Sequence, residues 1–366
     1  MLVKSGNVFI NSKFKRCDLR VEDNLVTELG ETLTPTAGED IFDVSGCYVL
    51  PGLFDIHMHG AVGEDFSDAS PEGLLRMAEY ERSCGVTSFC PTSMSLGKDA
   101  LIKVFRSGKS VADKCPQIYG FHMEGPFLNP NRKGAQKEEY IIEADIQLFN
   151  ACNEASGRRI KKLTLAPEVD GALELIKKVK DEVRVSLGHT EADYEGAARA
   201  FREGASQVTH LFNAMPEFGQ REPAVIGAAY DNKDVFVELI ADGVHVHDSV
   251  IRAVFELFDD RLVLVSDSMR ATGLGDGNYS LGGQSVRVED RKAVLQDGTI
   301  AGSVTNLFDC MKHCIDIGIP MEKAVEAATL TPARSLGEED RIGRIAVGRK
   351  ADILVVDNKF DLLKVL

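Results

Sequence analysis

The chain lacks a Cys-x-x-Cys pair, a long apolar run, an excess of positive charge, low-complexity segments and internal repeats, and each absence removes a class of function. Its eight cysteines (Cys17, Cys47, Cys84, Cys90, Cys115, Cys152, Cys310 and Cys314) are scattered, and a chain of 366 residues needs no covalent staples. Reduced thiols in a cytoplasmic protein are the expectation. Cys310 and Cys314 share a helix face by spacing, where packing accounts for them better than metal binding. No stretch approaches the ~18 apolar residues of a transmembrane helix. The opening Met1-Leu2-Val3-Lys4-Ser5-Gly6 has no basic region followed by an apolar one, so no signal peptide is predicted. Asp and Glu number 57 against 42 Lys and Arg, a formal net charge of −15. That balance argues against nucleic acid and anionic membrane as partners. It leaves room for a small anionic substrate held by a local cluster of cations. No period points to a solenoid.

What remains is an ordinary globular composition, 44% hydrophobic and 27% charged, ample for a large core. The length fits one large α/β barrel with a small appendage. Between residues 53 and 267 short apolar runs alternate with helical stretches, the pattern of parallel β/α units. Eight runs are predicted as strands: Leu53–His59, Thr87–Pro91, Ile118–Glu124, Leu163–Glu168, Val183–His189, Gln207–His210, Val235–Asp242 and Leu262–Asp267. Between them, Pro71–Cys84 reads as a helix with Leu74, Leu75, Met77 and Ala78 on one side. Thr190-Glu191-Ala192-Asp193 reads as a capping box opening another, followed by Ala197, Ala198 and Phe201 at helical spacing. Eight such units close into a (β/α)8 barrel.

The first run carries His57 and His59, two apart and so on one face of a strand, a natural half of a metal site. The other strand ends repeat the theme with Glu124, His189, His210, Asp242 before His245, and Asp267. Six of eight strand ends thus bring a His, Glu or Asp to the C-terminal rim, where barrels of this type build their active sites. Five of the eight histidines sit at these ends. Each residue also has a plainer reading: satisfied turn histidines, a helix N-cap for Asp267, a solvated turn residue for Glu124. Jointly the plainer readings need independent accidents aligned on one face of one barrel.

These segments resemble the amidohydrolase superfamily and, within it, the N-acetylglucosamine-6-phosphate deacetylases. The resemblance rests on Pro51–Gly60, His122–Phe127, Gly188-His189-Thr190, Thr209–Met215, Gly219–Pro223, Ala241–His245 and Ser266-Asp267-Ser268. It implies a metal-dependent hydrolase of the N-acetyl amide of an amino-sugar phosphate. Glu124, His189 and His210 would hold the principal divalent metal, zinc or ferrous iron, and leave a position for water. His57 and His59 would hold a second, with Glu124 bridging. Asp267 would be the general base, then the acid. Arg221 is the phosphate candidate, since its guanidinium grips two oxygens at once. Asn213 and Ala214 would assist through backbone groups, His245 would contact the substrate, and Ile300, Ala301 and Gly302 would complete the sugar pocket. In the Lys133-Gly134-Ala135-Gln136 loop, Gln136 stands where many relatives carry a substrate-contacting histidine. Gln keeps a hydrogen-bond donor but cannot become cationic.

A homodimer is expected from the resemblance, because a neighbouring subunit can supply phosphate contacts. The tail Gly343–Asp357 looks like the superfamily's closing strand pair. It accounts for short strands predicted at Val8–Ile10, Asp18–Val21, Leu25–Leu29 and Ile41–Val44. Residues 1–50 and 340–366 would form a small β-sandwich domain beside a catalytic barrel of 51–339, with a β-hairpin insertion near 279–300. The alternatives are an N-acetylgalactosamine-6-phosphate deacetylase, a ring-amide hydrolase such as a dihydroorotase, and a non-catalytic barrel.

Overall fold

In the computed structural model, which describes residues 1–366, eight strands follow one another around a nearly closed barrel. They are Leu53–Met58, Val86–Ser93, Phe121–Glu124, Ile160–Leu165, Arg184–Leu187, Gln207–Val208, Phe236–Ile240 and Leu262–Val265. Each pairs in parallel with its neighbour. Runs such as Val86–Ser93 and Leu262–Val265 are buried throughout, as expected where one face lines the barrel and the other meets helices. The first and eighth strands close the ring through Asp55. Its Oδ1 accepts the His57 N–H at 3.0 Å and its Oδ2 accepts the Ser266 N–H at 3.3 Å.

All eight predicted strands occur in the predicted order, but most end earlier than expected. His189, His210, Asp242 and Asp267 lie two residues past their strands, on the loops of the rim. The main core packs strand faces such as Leu163, Val185 and Leu264 against helix residues such as Phe105, Phe149 and Phe255. The helix Pro71–Ser83 shows how these elements are specified. Ser70 caps it by accepting from Gly73 N–H, proline occupies its first turn, and it buries Leu74, Met77, Ala78 and Glu81. Leu75 is 44% exposed, a correction to the predicted stripe, because it falls off the inward arc. The helix predicted to open at Thr190 runs over Tyr194–Glu203, with Asp193 as its cap. Thr190 instead donates to Glu168.

Both chain ends build one seven-stranded sheet. Leu2–Ile10 pairs with Ile41–Asp43 through its first half and with Tyr48–Pro51 through its second, so the sheet forks and folds over an 11-residue core. Ile353–Val356 lies antiparallel on Tyr48–Pro51, which leads straight into the first barrel strand. The insertion after the eighth strand is a three-stranded antiparallel meander, Gly277–Leu281, Gln284–Glu289 and Lys292–Val294, rather than a single hairpin. Its apolar face packs on Met94 and Met269 at the barrel rim.

Candidate active site

Two barrel strands, carrying His57 and Glu124, and the rim loops bring the predicted ligands within reach of one another. The carboxylate of Glu124 is surrounded by four imidazoles, all presenting Nε2. His57 and His59 approach at 3.3 Å each, and His189 and His210 at 3.4 Å each. Two compact sets share Glu124: His57, His59 and Glu124, and Glu124, His189 and His210. All five residues are buried.

The partners of the opposite ring nitrogens say which lone pairs face the centre. His59 Nδ1 lies 3.2 Å from the Thr92 carbonyl and His189 Nδ1 2.9 Å from the Arg132 carbonyl. His57 Nδ1 lies 2.9 Å from the Glu238 carboxylate. Carbonyls and carboxylates only accept, so these Nδ1 atoms carry the protons and the Nε2 atoms turn lone pairs inward. His189 and His210 face each other Nε2 to Nε2 at 3.0 Å. Buried Nε2 of His57 and Oε1 of Glu124 have no hydrogen-bond partner. Converging lone pairs around a buried carboxylate are what a divalent cation requires, and mixed imidazole and carboxylate donors suit a first-row metal.

The electrostatics agree. Burial and Lys162 oppose charge on His57, yet the carboxylates of Asp267 and Glu124 outweigh them and raise it to about 9. The positive charge that the carboxylates draw in is a proton on His57 Nε2, which a bound cation would displace to use that lone pair. Asp267 lies 3.2 Å from His59 Nε2 and 3.6 Å from His57 Nε2. Burial opposes its ionisation, but these histidines hold it at about 2, so it rests as a carboxylate.

Backbone strain marks the same residues. His189, His210 and Asp267 adopt left-handed conformations with φ of 48°, 30° and 48°. Such conformations cost about 1–3 kcal/mol each in non-glycine residues and concentrate at functional sites. They also end the strands: the backbone turns sharply where it aims these side chains into the mouth.

A cavity of about 470 Å³ opens over this centre. Of the predicted substrate residues, Ala135, Gln136, Asn213, Ala214, His245, Ile300 and Gly302 line it, together with His59, Glu124, His189, His210 and Asp267. His245 sits beside Asp242, Nδ1 to Oδ2 at 2.8 Å, so the carboxylate orients a rim histidine. One expectation, Ala301 at the wall, needs correction, and Arg221 and Gln136 take the following positions. Arg221 is exposed and does not line the cavity, because its loop turns outward before the helix Ala224–Asp231. Ala301 is fully buried within the core of the insertion, leaving only its neighbours at the wall. Gln136 is 2% exposed and spends its amide on Glu124, at 2.8 Å.

The cavity also takes in residues that sequence reasoning missed, Arg132 and Thr299 among them. Arg132 and Lys133 form a basic pair in an acidic chain, and that was the available signal. Beneath the site, Lys162, Gln207 and Glu238 form a buried polar cluster. A glutamate inside the apolar run Phe236–Ile240 and the Lys161-Lys162 pair inside Ile160–Leu165 were its only sign.

Comparison with known proteins gives a consistent result. The amidohydrolase family model matches residues 48–365. An N-acetylglucosamine-6-phosphate deacetylase of Bacillus subtilis (strain 168) is 39% identical, over 86% of this chain and 82% of its own length. An N-acetylgalactosamine-6-phosphate deacetylase of Escherichia coli O157:H7 is 32% identical, over 85% of this chain and 84% of its own. A mutant N-acetyl-D-glucosamine-6-phosphate deacetylase of Mycobacterium smegmatis, solved with N-acetyl-D-glucosamine-6-phosphate, superposes with a TM-score of 0.95 at 31% identity, covering 100% of this chain and 97% of that one. With a site of this geometry, most of its length inside the family model and relatives that match it nearly end to end, the chain belongs to the amidohydrolase family.

Proposed function

We propose that the protein hydrolyses the N-acetyl amide of N-acetyl-D-glucosamine 6-phosphate, giving D-glucosamine 6-phosphate and acetate. The observation that carries this reading is the carboxylate of Asp267, 3.2 Å from His59 Nε2 and 3.6 Å from His57 Nε2, beside the four imidazoles that converge on Glu124 at the floor of a cavity lined also by Arg132 and Lys133. Glu124, His189 and His210 would hold the principal divalent cation, zinc or ferrous iron, and His57 and His59 a second that shares Glu124. When bound, such a cation lowers the pKa of a water toward about 7 and polarises the acyl carbonyl. Asp267 then takes the water's proton and delivers it to the departing sugar nitrogen, which must leave as an amine. His245, held by Asp242, faces the cavity as a substrate donor. Backbone groups of Asn213 and Ala214 and the wall at Ile300 and Gly302 would frame the sugar.

Arg132 and Lys133 are cations of this chain's own cavity wall, and they support an anionic substituent on the sugar. Arg221 is exposed outside its own chain's cavity, as is Phe218 (47% exposed), and the reading is a homodimer in which each subunit would lend Arg221 to its partner. Residues 1–50 and 340–366 are proposed as a structural domain beside a catalytic unit of 51–339. A cytoplasmic setting is supported by eight cysteines that are all unpaired. No helix is long and apolar enough to cross a membrane.

The second reading is the galacto epimer as substrate, favoured by the 32% identity to an N-acetylgalactosamine-6-phosphate deacetylase. The test is amine release by metal-quantified protein from N-acetylglucosamine 6-phosphate, its galacto epimer and the unphosphorylated sugar. Preference for the phosphorylated gluco substrate is expected. Turnover of the epimer alone moves the substrate assignment, and silence on all three overturns it.

A further inference from the structure

The Lys162–Glu238 pair is buried at 0% exposure inside the barrel, below the site. It lies too deep to line the cavity. Glu238 Oε2 accepts the Nδ1 proton of His57 at 2.9 Å. Its Oε1 accepts from both Lys162 Nζ and Gln207 Nε2. Both oxygens of this carboxylate are thus engaged, and one points at a residue of the upper site. Burying an ion pair is costly, and the desolvation can exceed the Coulombic gain, so the pair is weak evidence for stability.

We infer that Glu238 is a positioning residue that decides whether the His57–His59 half of the site can hold a cation. By taking the Nδ1 proton it commits the ring to the tautomer whose Nε2 faces Glu124. Lys162 and Gln207 pin the far oxygen, so the carboxylate cannot swing away. Partners of this kind typically change metal affinity about 10–100-fold. The inference rests on the proposed two-cation reading of the site.

The arrangement makes Glu238→Gln an informative change. Both Lys162 and Gln207 donate to Oε1, so a glutamine must put its single oxygen there. Its NH2 group then faces His57 Nδ1, which must accept. The proton moves to Nε2, and His57 ceases to be a ligand although nothing in the cavity has changed.

The experiment uses full-length protein stripped by chelator and titrated with Zn2+ alone, in the parent, His57→Asn, Glu238→Gln and the double variant, with thermal unfolding recorded for each. Two bound equivalents are expected in the parent. Glu238→Gln should weaken the His57-dependent equivalent about 10–100-fold and spare the other, and the double variant should match His57→Asn. Parent-like binding by Glu238→Gln, with His57→Asn impaired, overturns the positioning role and leaves the two-cation reading intact. Parent-like binding by His57→Asn overturns both. Should Glu238→Gln not fold, the 15N resonances of His57 in the zinc-loaded parent decide. A protonated Nδ1 is expected, and a protonated Nε2 overturns the role.

Discussion

Gln136 donates from Nε2 to Glu124 Oε2 at 2.8 Å while its Oε1 accepts the Ser95 N–H at 2.7 Å. The amide links a rim loop to the carboxylate shared by both halves of the site. Gln136→Leu should therefore weaken Zn2+ binding by about 10-fold or more in a titration of stripped protein. A variant with a raised KM and unchanged zinc affinity would return Gln136 to a substrate role.

Asp267 offers a sharper separation of binding from chemistry. Asp267→Asn preserves shape but removes the proton acceptor, and should lower kcat by about 10²–10⁴-fold. Zinc content, measured by elemental analysis, should stay at the parental stoichiometry. Near-parental turnover would mean that another group accepts the proton.

Two arginines divide the phosphate question. Arg132 lines the cavity of its own chain and Arg221 does not. Arg132→Ala should raise KM for the phosphorylated sugar more than for the plain sugar at every protein concentration. Arg221→Ala should do so only where the protein is dimeric, as read by kinetics alongside sedimentation. Equal effects on both sugars would remove either residue from phosphate binding.

Glu81 supplies a prediction about stability and pH. It is fully buried on the helix Pro71–Ser83, and neither carboxyl oxygen has a hydrogen-bond partner. Burial, and then the charge of Asp55, push its pKa well above the ordinary carboxylate range. A pKa raised on folding favours the folded state below the unfolded value of about 4.3. That contribution is lost as pH rises through the folded value. Glu81→Met, which removes the charge at similar volume, should stabilise the protein by about 1–4 kcal/mol near pH 7. The gain should shrink toward pH 4 in urea denaturation. A gain that does not change with pH would show that ionisation of Glu81 is not what the substitution relieves.

Much of the site was legible because its residues sit at recurring places in the chain pattern. His57 and His59 are two apart, and Glu124, His189, His210 and Asp267 each follow a short apolar run. Where local pattern was silent, the reason is physical. Arg221 and Arg132 are both loop arginines, and composition cannot tell which way a loop turns. Gln136 has the same hydrogen-bonding groups whether it meets a sugar or a carboxylate. Ala301 and Ile300 are adjacent apolar residues, and only the meander's packing sends one inward and one to the cavity.

The sequence by itself determined the strand order, the rim and the donor set, because apolar periodicity and the position of each polar residue along it are local properties. Tertiary structure decided what those residues do to one another. The left-handed backbone at His189, His210 and Asp267 is held against its own preference by the closed barrel. The lone-pair direction of His57 depends on Glu238, 181 residues away in the chain. Hydrogen bonds between strands so distant have no signature in local pattern, since they exist only once the barrel has closed around them.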